Sequence, residues 1–164
     1  MLWQIWTACD FKIRFMHPCA NVYFNMSNGT AVVAPMHVNQ DGIGYEQDPA
    51  SLLPVGHSAN DLGEAVKKAL SCFSEKPCDL RSLKKTDWPA FRASQLSSVG
   101  RFEQEFTRIS VAYLNSSGAI ARAEIALGDD SGVFCTFNPR LPGAAIADKL
   151  SSLLRIFAIA AQSE

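Results

Sequence analysis

The sequence predicts one α+β domain over residues 1–164, an antiparallel sheet covered by helices and built from two related β-hairpin/strand/helix halves. Three observations predict it. Hairpin turn signals stand at Ser27-Asn28-Gly29 and Ser116-Ser117-Gly118, each half ends in an amphipathic helix pattern, and the landmarks of the halves keep a nearly constant offset. That offset is 118 − 29 = 89 for the turn glycines and 88 for Asp41 to Asp129, Pro54 to Pro142 (142 − 54 = 88) and Leu62 to Leu150.

The first half spans residues 21–73. Its apolar segments Val22-Tyr23-Phe24 and Ala31-Val32-Val33 flank an Asn-Gly step, which supplies the positive φ angles of a tight hairpin turn. Asp41-Gly42-Ile43-Gly44 then punctuates the chain before a strand around Tyr45, and Leu52-Leu53-Pro54 leads into a helix. Ser58 is placed to cap that helix, with Asp61 three residues on to return the bond. Leu62, Ala65, Val66, Ala69, Leu70 and Phe73 recur at helical spacing on one face, while Glu64, Lys67 and Lys68 turn to water.

Residues 74–106 read as a connector with one short helix, which Thr86 or Asp87 caps and Pro89 opens. The second half, 107–161, repeats the order: Val111-Ala112-Tyr113, a turn, an apolar segment from Ala119, an acidic turn at Asp129-Asp130-Ser131-Gly132, and a strand at Val133–Phe137. Leu141-Pro142 precedes a helix whose stripe is Ile146, Leu150, Leu153, Leu154, Phe157 and Ala161.

A chain of 164 residues suits one domain. The net charge of −1 argues against the broad basic surface that nucleic-acid binding requires, so no direct nucleic-acid contact is expected. No apolar run approaches the roughly 20 residues of a membrane span, and the first residues reach Asp10 and Lys12 before any signal-peptide core forms. The expected location is therefore the cytoplasm. Five scattered cysteines, Cys9, Cys19, Cys72, Cys78 and Cys135, fit reduced thiols better than a disulfide framework.

The chemistry-bearing residues assemble no recognisable catalytic, cofactor or metal site. Cys9, His17 and Cys19 are zinc-ligand types without a fourth ligand at a suitable spacing. The turn serines lie on hairpins rather than on a strand-to-helix elbow, and Gly42 and Gly44 open no helix that would receive a dinucleotide. Cys135 with His37 or His57 leaves a cysteine-dependent enzyme as one alternative, and a subunit or scaffold of another complex as a second. The acidic residues Asp41, Glu46, Asp48, Asp129 and Asp130 read as solvated turn and edge charges. Gathered on one face, such carboxylates steer and hold a basic protein partner.

Gly44-Tyr45-Glu46 after an Asp-Gly turn, Leu53-Pro54, and Leu62-Gly63-Glu64-Ala65-Val66 running on to Ala69-Leu70 form one set of landmarks. With a β-rich second half closing on Leu141-Pro142 and a helix, this arrangement resembles the bacterial contact-dependent growth inhibition immunity proteins over about residues 21–158. Residues 1–20 have no counterpart in the resemblance, and Leu150-Ser151 stands where the first helix has Leu62-Gly63. The resemblance implies a cytosolic antidote without enzymatic activity or cofactor. Its implied partner is the toxic C-terminal domain, commonly a nuclease, that a neighbouring cell delivers.

Overall fold

The computed structural model describes residues 17–80, 82–124 and 132–160. A seven-stranded antiparallel sheet forms its centre, with the order β3-β2-β1-β5-β6-β7 and β4 pairing with β2. The strands are β1 Cys19–Asn25, β2 Ala31–Val38, β3 Gly44–Glu46, β4 Ser51–Leu53, β5 Phe106–Asn115, β6 Gly118–Glu124 and β7 Gly132–Phe137. Four helices accompany them: α1 Ala59–Ser71, α2 Pro89–Ser94, α3 Val99–Glu105 and α4 Gly143–Ala160.

Local chemistry explains the elements that were legible. Gly29 has φ 76° in the β1–β2 turn, where Asn28 Oδ1 accepts the Thr30 N–H at 2.8 Å. At the start of α1, Ser58 Oγ accepts the Asp61 N–H at 3.1 Å and Asp61 Oδ2 accepts the Ser58 N–H at 3.0 Å, the reciprocal cap expected from Ser-x-x-Asp.

Two elements differ from the sequence reading. Ser51–Leu53 is a strand rather than a lead-in, three residues being too short to display alternation. The connector folds into a single 3₁₀ turn at Lys85–Asp87 and two helices, not one. Asp87 caps the 3₁₀ turn by accepting the Lys84 N–H at 2.8 Å, and α2 starts at Pro89 with no side-chain cap. Ser98 Oγ caps α3 by accepting the Arg101 N–H at 3.3 Å.

The two halves agree in strand register, residue by residue. Phe24 pairs with Ala31 and Ala31 with Leu53, while Tyr113 pairs with Ala119 and Ala119 with Phe137. The next row is Tyr23, Val32 and Leu52 against Ala112, Ile120 and Thr136, and the one after it is Val22, Val33 and Ser51 against Val111, Ala121 and Cys135. The counterpart of β7 is therefore β4, and β3 pairs with the C-terminal end of β2.

Because side chains alternate across a strand, the rows divide between two faces. One face lies under α1 and α4: Val22, Phe24, Val33, Ile109, Val111 and the alanines of β6 meet Leu62, Val66, Leu70, Ile146, Leu150 and Leu153 in the main core. Leu62 and Leu150, the matched pair of the two helix stripes, are both buried there. Burying each leucine stabilises the fold by roughly 1.5–3 kcal/mol before its conformational entropy cost. On the other face the connector covers the first half only. Trp88, Ala90, Phe91 and Phe102 pack over Tyr23, Val32, Ala34 and Leu52, with Tyr23, Trp88 and Phe102 meeting edge-on or tilted at ring-centroid distances of 4.9–5.7 Å.

Candidate partner-binding surface

The sequence expectation of five surface carboxylates requires one clear correction. Glu46 is buried, at 3% exposure. Its position on β3 opposite Met36 aims it into the face that the connector covers. Asn21 Nδ2 donates to Glu46 Oε1 at 2.7 Å and the Tyr23 hydroxyl donates to the same oxygen. Trp88 Nε1 donates to Oε2 at 2.8 Å and the Ala90 N–H at 3.3 Å. Four donors, two from β1, one from Trp88 at the N-cap of α2 and one from Ala90 within it, thus converge on one acceptor-only group, which offsets the cost of its burial.

Burial pushes the Glu46 carboxyl above the ordinary glutamate range, against the opposing pull of those four hydrogen bonds. Burial, and then the neighbouring carboxylate, hold the Tyr23 phenol well above its usual value. Glu46 is thus a bracket between the sheet and the connector and offers no surface charge to a partner.

The other expected residues lie apart from it. Asp41 is exposed in a turn organised by Asn39, whose Oδ1 accepts the N–H groups of Asp41 at 3.0 Å and Ile43 at 2.9 Å. Asp48 is exposed and forms an ion pair with Arg92 of α2. Asp129 and Asp130 lie outside the described residues, as do Cys9 and Ala161.

The candidate nucleophile and bases make contacts of their own. Cys135 Sγ lies 3.9 Å from the Lys149 carbonyl oxygen, and burial raises its thiol above the usual range, which disfavours the reactive thiolate. His37 is buried with Nδ1 2.9 Å from Ser74 Oγ, and burial lowers its basicity. His57 Nδ1 meets the Pro54 carbonyl oxygen at 3.0 Å. Among the described residues no three His, Cys, Asp or Glu side chains gather as metal ligands would.

One feature of the surface escaped the sequence reading. Register places Ser110, Arg122 and Phe134 in one row across β5, β6 and β7, and Ala112, Ile120 and Thr136 in the next. These rows stand on the face away from α1 and α4, because their strand neighbours Val111, Ala121 and Phe137 enter the main core. Phe134 is 65% exposed, Thr136 is exposed, and Ala112, Ile120 and Arg122 are half-buried. A readable signal existed in β6, where Ala119, Ala121 and Ala123 alternate with Ile120 and Arg122. Small residues on the helix side leave the larger ones outside.

No family model matches the chain, and no curated protein matches it in sequence. Its fold does match solved structures. The structure of a protein of unknown function from Neisseria meningitidis, NMB0488, aligns with a TM-score of 0.65 at 14% identity, covering 85% of this chain and 94% of the other. A chain of the CdiA-CT/CdiI toxin and immunity complex from Yersinia pseudotuberculosis aligns with a TM-score of 0.58 at 13% identity, covering 85% and 96%. At these identities the likeness is one of fold.

Proposed function

We propose that this protein is an antidote. It binds the toxic C-terminal domain delivered in contact-dependent growth inhibition and neutralises it through a one-to-one, non-covalent complex. The carrying observation is the fold likeness to a chain of a CdiA-CT/CdiI toxin and immunity complex along 85% of the sequence. The Leu62-Gly63-Glu64-Ala65 helix and the landmarks around it give the same reading from the residues.

A nuclease is the toxin class that the resemblance implies. Such a toxin acts on a polyanion and presents basic surface, so Asp41 and Asp48, both exposed, are suited to steering its approach. Specificity then comes from matched shape and charge across an interface of ordinary size.

Co-expression with the C-terminal domain encoded immediately upstream tests the proposal. The expected result is a co-purifying one-to-one complex and rescue of growth from that domain's toxicity. Failure of both rescue and complex formation overturns it.

A further inference from the structure

We draw no further inference here: the strongest candidate, the patch of Ile120 and Phe134 on the face of β5, β6 and β7 away from α1 and α4, carries nothing because nothing in the structure shows what covers it.

Discussion

Asn21 on β1 and Ser110 on β5 face each other at the centre of the sheet, and each is the other's counterpart in the register match between the halves. The Ser110 hydroxyl donates to Asn21 Oδ1 at 3.2 Å. An approximate twofold relation thus runs between β1 and β5, and it is broken by what each residue faces. Asn21 turns its amide N–H to Glu46, whereas Ser110 is followed along its row by Arg122 and Phe134. Asn21→Ala removes a charge-assisted bond inside the protein and is expected to cost about 2–3 kcal/mol. Ser110→Ala should cost about 1 kcal/mol or less. Urea unfolding of the two variants measures the difference, and equal losses would show that the Glu46 contact is not what makes Asn21 valuable.

Glu46 gives a pH prediction with a definite sign. Its folded-state value lies above the ordinary 4.5, so the folded protein holds this proton more tightly than the unfolded chain does. Glu46 therefore contributes stability below the unfolded value that is lost as pH rises through the folded one. The Glu46→Gln variant lacks this titration. The unfolding free energy of the wild type relative to Glu46→Gln should consequently move in favour of the wild type as pH is lowered from neutral toward 4.5. A difference that stays flat, or moves the other way, contradicts the burial-dominated reading. Glu46→Ala, which strips the acceptor from four donors at any pH, is expected to cost roughly 3 kcal/mol or more.

Gly63 marks the crossing of α1 and α4. A Cβ built on it would stand 1.9 Å from the Gly143 carbonyl oxygen and 2.3 Å from the Gly143 Cα, so the helices touch backbone to backbone. This is the physical reason for the glycine in Leu62-Gly63-Glu64-Ala65. It also explains why the second helix carries Leu150-Ser151: the contact is made by the first turn of α4, not by the position that matches Gly63. Gly63→Ala should force the helices apart and destabilise by about 3 kcal/mol, despite the better helix propensity of alanine. Ser151→Ala, on half-buried surface, should change stability by less than about 0.5 kcal/mol. Thermal unfolding of both variants checks the contrast, and a neutral Gly63→Ala would mean that the crossing has slack.

The legible parts of this protein are those written locally. The Ser58–Asp61 cap, the α1 stripe from Leu62 to Leu70 and the Asn28-Gly29 turn are decided within one or two turns of chain and stand where the residues indicate, whereas Phe73, expected on the same stripe, falls past the helix end at Ser71. Leu62 and Leu150 were recognisable as core because helical spacing reports one buried face. Glu46 was not recognisable. Its donors Tyr23 and Trp88 lie 23 and 42 positions away, and nothing beside a carboxylate in a short strand announces them. β4 and α3 escaped for a related reason: three residues carry no period, and α3 buries Phe102 alone within a polar segment. The face formed by β5, β6 and β7 away from α1 and α4 was half legible. Alternation in β6 separates the alanines from Ile120 and Arg122, but which side is covered follows from where α4 and the connector come to rest.

The exposed acidic side chains Asp41 and Asp48 are placed to act on a partner's approach. Asp41 projects from its turn and Asp48 pairs with Arg92 at the surface, so neither holds the core together. Rim charges act mainly on encounter, whereas packed groups act on residence time. With a basic toxin domain as partner, Asp41→Lys combined with Asp48→Lys should slow association several-fold at low ionic strength and flatten its dependence on salt. Dissociation should barely change. Loss of the Asp48–Arg92 pair, together with the like charge placed beside Arg92, should lower stability by no more than about 1 kcal/mol. Stopped-flow association at several salt concentrations, with dissociation measured by competition, checks both rates. If the aspartate reversal leaves association untouched at every salt concentration, these residues take no part in steering and the partner's approach is governed elsewhere on the surface.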